Sequence, residues 1–338
     1  MVINSNKGNI TYQRTIGMSV MEGKGFYYPA DSAFGPDGRI YVLNRSLELA
    51  GRGRGMRVAV CDSSDNYHGE WGSFGDGPGQ FMWPSAICVT SDGQVIIADE
   101  HLNKVMVFTS GGDFIEEWGT LGSGEGFLDT PSGLAVNEKN ELFVSDTYNH
   151  RLQVFSTSGH FLRSFGQNEG LEMPWRLSLG PDENVYVADW GNDRICVYTQ
   201  EGTFLRSFGA SGSGDGAFNK PCAVVSSKSG KIFVCDWGNE RVQVFDQEGN
   251  FLELTLGESD LSPWAENFLT VNVEEGKARL NSNLDKTNIP FADPTDRHEV
   301  SSHIEKFFWS PMSVSIGPDG LLYVTESNRH RIQVFEIG

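Results

Sequence analysis

The chain is poor in positive charge, short of cysteine and without long apolar runs, and each shortage removes a class of protein. Lys and Arg number 26 against 45 Asp and Glu in 338 residues, a formal charge of -19. Nucleic acid and anionic membrane both need clustered cations to displace counterions, so neither is an expected partner. The five cysteines, Cys61, Cys88, Cys196, Cys222 and Cys235, are scattered and form no CxxC pair. That pattern argues against a disulfide framework or a zinc ribbon and reads as buried thiols in a reducing compartment. No stretch reaches membrane-spanning length, and the opening "MVINSNKGNITYQRT" has no apolar signal core. A soluble, cytoplasmic protein is expected.

What the chain does have is 40 Gly, 22 Phe and 8 Trp, a composition of short strands and tight turns. It is also repetitive. "ADEHLNKVMVF", "SDTYNHRLQVF", "ADWGNDRICVY", "CDWGNERVQVF" and "TESNRHRIQVF" align on an acid, then a basic residue five positions on, then a β-rich run. Asp99, Asp146, Asp189 and Asp236 are separated by 47, 43 and 47 residues, the period of four-stranded propeller blades. Each unit opens with a Pro before an apolar strand and makes a DG-type turn. It then runs a second strand into the acid, a third strand, and a closing "G-x-F-L-x-x-F-G".

The first and last units depart from this. In the first, Asn44 replaces the acid and a longer Arg- and Gly-rich loop follows. In the last, Glu326 replaces it and only three strands remain, so residues 10–17 are expected to supply the fourth and close the ring. The expected fold is all-β, a single domain over 1–338. It is a six-bladed propeller of four-stranded antiparallel blades, with blades one to five in 18–257 and blade six in 307–338. Residues 258–306 lack the repeat and read as a partly helical insertion, a lid over the site. Asp293 and Pro294 would start a helix there, with Val300, Ile304 and Phe308 along one face.

Strands a to d alternate in direction, so the b–c and d–a loops share one mouth while the a–b turns open on the opposite face. The repeated acid and base pairs, Asp99 with Lys104, Asp146 with Arg151, Asp189 with Arg194, Asp236 with Arg241 and Glu326 with Arg331, lie at that mouth. Chemistry rarely needs five copies, so these read as ties within each loop. His150 and His330, before the Arg, read as polar loop groups. Candidate ligand residues are the ones that differ between blades: Arg45, His101, Tyr148, Trp175, Arg176, Trp190, Trp237, Asn328 and Arg329. Aromatic walls with a few polar handles are the usual lining of a small-ligand pocket, although Trp190 and Trp237 recur in one context, "DWGN", and packing between blades explains them equally well.

"NHRLQVF", "NDRICVY" and "NERVQVF" resemble the NHL repeat. Among such propellers the chain is also similar to the peptidyl-α-hydroxyglycine α-amidating lyases. That resemblance implies an active-site role for Arg45 in "VLNRS" and a catalytic role for Tyr148 in "VSDTYN"; in an enzyme of this general kind Arg45 would hold an anion, Tyr148 would serve as acid or base and His101 would assist. It also implies zinc bound by three His placed after the opening Pro of blades two, four and six, where this chain has Ser85, Trp175 and Met312. A second family Arg is replaced by Trp190. No ligand set for a divalent metal is recognisable, and a metal would have to be built from other residues, such as His101 with His298 or His303. A tyrosine also needs a cationic neighbour to work as a base near neutral pH. The expectation is therefore a propeller that binds a small molecule, with lyase- or hydrolase-like chemistry in the mouth. The alternatives are a non-catalytic propeller that binds a protein or peptide, and a metal-dependent lactonase-like hydrolase.

Overall fold

In the computed structural model, residues 9–46, 55–286 and 293–338 are described. Their strands form six sheets, each of four antiparallel strands in the order a, b, c, d. In five blades the strands follow chain order. In the sixth, strand a (Pro311–Ile316), b (Leu322–Glu326) and c (Arg331–Ile337) are completed by Ile10–Ile16, which pairs with strand c. The two ends of the chain thus share one sheet, and Ile10–Ile16 is its outer strand. The Arg- and Gly-rich loop of blade one falls within 47–54, outside the described residues.

Each blade aligns three residues across its mouth end. In blade three Pro131 pairs with Asp146, and Asp146 pairs with Arg151. The same row recurs as Pro174, Asp189, Arg194 and as Pro221, Asp236, Arg241. The acid side chain is fully buried, so every lone pair needs a donor. Asp146 accepts from Arg151 Nε at 2.7 Å, Asn149 Nδ2 at 3.0 Å, Gln153 Nε2 at 2.9 Å and the Asp129 N–H at 2.7 Å. Arg151 Nη2 and Gln153 Nε2 also donate to the Phe127 carbonyl of the d–a loop. The Asn, Arg and Gln of "NHRLQVF" are therefore one network that fastens the loops to the strand ends. Asp236 repeats it with Asn239, Arg241 and Gln243. Burial pushes both aspartates up in pKa, against these donors.

Blade two departs from this scheme. Lys104 forms its ion pair with Glu117 at 2.5 Å, not with Asp99. Asp99 is satisfied by the Met82, Trp83, His101 and Leu102 N–H groups instead. A flexible ammonium lacks the fork by which Arg reaches a carboxylate and two carbonyls at once.

In blades two to six the residue before the base ties the blade to the next. Asn103, His150, Asp193, Glu240 and His330 all have positive φ, between 52° and 55°. Each accepts a hydrogen bond from a backbone N–H of the following blade, donated by Thr130, Met173, Lys220, Ser310 and Tyr28 respectively, at 2.6–3.1 Å. The last of these closes the ring. His150 and His330 are thus acceptors, and burial lowers His330 to about 4, which keeps its Nδ1 free to accept at neutral pH.

The described residues of the insertion form three helices: α1 (Pro263–Val271), α2 (Val273–Leu280) and α3 (Arg297–His303). In α1, Trp264 is buried between Phe26 and Tyr67 and donates to the Asp65 carbonyl at 2.7 Å, fixing that helix to blade one. α3 starts later than the sequence implies, because Asp296, not Asp293, accepts from the His298 and Glu299 N–H groups. Asp293 and Thr295 form a turn ahead of it. Phe308 is not on the helix, its N–H bonding to the Leu256 carbonyl. All five cysteines are buried and free, and desolvation pushes Cys61 and Cys196 up to about 12. Among the described residues, no helix is long and apolar enough to cross a membrane.

Arg151→Ala leaves Asp146 buried without its cation and is expected to cost about 3–5 kcal/mol, whereas Lys104→Ala, at a half-exposed pair, costs about 1 kcal/mol or less. Urea titrations of both variants measure the difference. His330 falls from 6.5 in the open chain to about 4 in the fold, so its contribution is present above pH 6.5 and is lost as pH falls toward 4. His330→Asn, which keeps an acceptor of the kind Asn103 supplies, is expected to remove about 2 kcal/mol of that acid-side loss in urea melts at pH 7 and pH 4.5.

Candidate functional site

The slot just after the opening proline turns out to be partly structural. Ser85 Oγ donates to the Pro131 carbonyl at 2.6 Å, Ser132 Oγ lies 3.4 Å from the Pro174 carbonyl, and Cys222 Sγ lies 3.1 Å from the Pro311 carbonyl. Each reaches the next blade. The slot that the lyase resemblance would fill with a zinc ligand in blade two is therefore a tie between inner strands. Among the described residues, no group of three or more His, Cys, Asp or Glu is arranged to hold a metal ion. His298 is engaged on both nitrogens: Trp309 Nε1 donates to its Nε2 at 3.0 Å, and its Nδ1 lies 2.5 Å from Glu240 Oε1.

One residue further along the inner strands, blades one and four carry opposite charges. Arg176 crosses the propeller axis from blade four. Its Nη2 donates to the Ala30 carbonyl of blade one at 2.8 Å and the Ser85 carbonyl of blade two at 2.7 Å, and its Nε lies 3.5 Å from Asp31 Oδ2. Asp31 in turn accepts from Ser313 Oγ of blade six and the Ile87 N–H of blade two. The pair ties four blades together at the axis. Gly133, in the equivalent slot of blade three, is required there, because a Cβ would sit 2.5 Å from the Trp175 carbonyl oxygen.

Above this pair, Arg45 and Glu100 meet at the mouth. Arg45 Nη2 lies 2.9 Å from Glu100 Oε1, its Nε donates to the Pro84 carbonyl at 3.2 Å, and its guanidinium lies over the Trp83 ring at 4.8 Å. Glu100 Oε2 is buried with no hydrogen-bond partner. Desolvation raises the Glu100 carboxyl, opposed by Arg45 and Arg176; burial lowers Arg45, opposed by Glu100. A carboxylate poised this way, with one oxygen unused and cations beside it, has the features of an acid–base group.

The other sequence candidates lie around this centre. Tyr148 is 53% exposed, and its hydroxyl makes no hydrogen bond among the described residues. His101 is exposed, and its N–H is bound by Asp99. Trp175, Trp190 and Trp237 pack on one core cluster of blades five and six, with the Trp175 and Trp190 rings 6.0 Å apart and Lys220 over Trp190. Asn328 donates to Ser310 Oγ. Arg329 Nη2 is committed to the carbonyls of Ser301, Ser302 and Ile304 at the end of α3, so it fastens the insertion to blade six. Of the insertion's helices, α3 is the one at the mouth, and α1 lies against blade one. Glu100, Trp83 and Asp31 were not singled out by sequence. The available signal was charge: Glu100 is the sole acid in its slot across the six blades, and Asp31 the sole acid in the slot that Arg176 shares.

The geometry defines a six-bladed β-propeller with a polar centre at its mouth. Two of its blades, at residues 128–155 and 308–335, match the NHL repeat. No curated protein matches the sequence. Solved structures similar in fold include streptogramin B lyase (TM-score 0.58, 12% identity, 98% of each chain covered). A catalytically inactive virginiamycin B lyase from Staphylococcus aureus with quinupristin is also similar (TM-score 0.56, 13% identity, 97% of this chain and 88% of that one). A protein of unknown function from Bacteroides thetaiotaomicron scores 0.60 at 17% identity, with 98% and 76% covered.

Removing the Arg45 cation is expected to raise the Glu100 carboxyl further, so in Arg45→Met it titrates at higher pH than in the unaltered protein. Carboxyl 13C NMR measures this; an unchanged titration would assign the control of Glu100 to Arg176 alone.

Proposed function

We propose that this propeller binds a small molecule at the mouth formed by its b–c and d–a loops and acts on it with lyase- or hydrolase-like chemistry. The observation that carries the reading is the sheltered Arg45 and Glu100 pair with Glu100 Oε2 unpartnered. Arg45 Nη1, which makes no hydrogen bond among the described residues, receives an anionic or carbonyl oxygen of the ligand. Glu100 Oε2 takes or returns a proton, and the adjoining Arg45 cation stabilises the charge that develops. Trp83 offers flat apolar surface beside the pair, and Trp175, Tyr148 and His101 are further contacts for the ligand at the mouth. The likeness in fold to lyases adds support at the level of architecture.

A second reading, a protein- or peptide-binding propeller, draws on the exposure of Tyr148 and His101 at the same rim. Turnover separates the two. With quinupristin and a panel of lactones and small esters as probes, Glu100→Gln is expected to lower kcat/KM about 10²–10⁴-fold while the urea midpoint is retained. The unaltered protein should gain activity with pH through a value above the usual carboxylate range, since the base form of Glu100 is the working one. No turnover on any probe, together with loss of peptide capture in Tyr148→Ala, would move the function to the second reading.

A further inference from the structure

Beneath the axial pair lies a cavity of about 310 Å³ that belongs to none of the mouth chemistry. It is lined by the inner strands of all six blades, from Asp31 and Arg176 down to Phe34, Val89, Val136 and Leu179, the residues that precede the a–b turns. Arg45, Glu100 and Tyr148 are not among its walls. It is a shaft that leads from the turn face toward the axis and ends at the guanidinium.

Its walls mix valine, leucine and alanine side chains with charged and hydroxyl groups, several of which are short of acceptors. Arg176 is 6% exposed, yet Nη1 and Nε have no hydrogen-bond partner. Ser178 Oγ and Ser315 Oγ, on two of the lining strands, are buried without partners as well. Asp31 faces Arg176 only at Nε, where its Oδ2 lies 3.5 Å away as an ion-pair partner, so Nη1 is left without an acceptor. Buried donors left unmet cost free energy that a fitting acceptor returns. The volume is far more than one water occupies.

The geometry points to a second ligand site, in which the shaft holds a short-chain monocarboxylate with its head group shared between the unmet donors Arg176 Nη1 and Ser315 Oγ and its hydrocarbon tail along the valine and leucine walls. A carboxylate supplies the charged acceptor that guanidinium recognises, and the apolar shaft selects for a tail over a free inorganic anion. The site is independent of the mouth, since it uses the opposite face of the disc.

Hexanoate serves as the probe, with hexanol and acetate as controls, read by isothermal titration calorimetry and by NMR. Saturable binding of hexanoate, at least tenfold tighter than acetate or hexanol, is expected. Arg176→Met should abolish it. Because Arg176 also bridges blades, Ser315→Val provides a variant that removes an unpaired hydroxyl and so retains or raises the melting temperature. It should nevertheless weaken hexanoate about fivefold or more. Glu100→Gln should leave hexanoate affinity unchanged, which separates this site from the mouth. Absence of saturable binding up to about 50 mM, or equal affinity in Ser315→Val and the unaltered chain, would overturn the proposal and leave the shaft to water.

Discussion

A carboxylate withdrawn from water at the end of strand b is the constraint on which the rest of this propeller depends. Asp146, Asp189, Asp236 and Glu326 are completely buried, and a buried carboxylate is tolerable only where its oxygens are met by donors. Meeting them requires the Arg at the head of strand c and donors from the loops on either side. Where Asn and Gln also stand in register, as in blade three, they complete the set. Once those are placed, the two loops of a blade are held at the mouth and the inner strand is fixed against the axis. Side chains that differ between blades can then vary, because the backbone beneath them is held by groups that do not.

Closure of the ring adds a second condition. A run of blades bonded only within themselves could splay, so blades two to six each pass an acceptor to the next. The residues that do so sit at positive φ, where Asn, Asp and His are tolerated better than most side chains and Glu240 is the exception. Glu240 is raised to about 8 by burial and by the Glu326 and Asp296 carboxylates, and it holds both the Ser310 N–H of blade six and His298 of the insertion. Helix α3 therefore docks on the same latch that joins blades five and six, and Arg329 secures its C-terminal end.

Much of the fold was legible along the chain. The spacing of Asp99, Asp146, Asp189 and Asp236 marked the blades, "ITYQRTI" was recognisable as the closing strand, and Asp146 and Arg151 were readable as a tie because they recurred. Lys104 shows the limit of that logic. It occupies the basic position, but its shorter reach lets it turn to Glu117, and pattern alone does not distinguish the two outcomes. The helices α1 and α2 escaped notice because they are held by tertiary contacts, Trp264 in particular, more than by a strong periodic pattern. At the mouth, Arg45 and Arg176 were identified but their acids were not, since Glu100 and Asp31 stand out only once all six slots are compared by charge.

The repeat, the strand directions and the face on which each loop lies follow from local spacing and alternation, and those were settled by the order of residues alone. Which residues meet across the ring is a different matter. Arg45 in blade one finds Glu100 in the neighbouring blade, and Arg176 in blade four reaches Asp31 in the blade opposite. Both pairs are separated by more than 50 residues of chain, a distance over which no local preference acts. Only the circle of six blades brings them within bonding range, and only its closed axis removes enough water to raise Glu100 and to leave Arg176 in want of an acceptor.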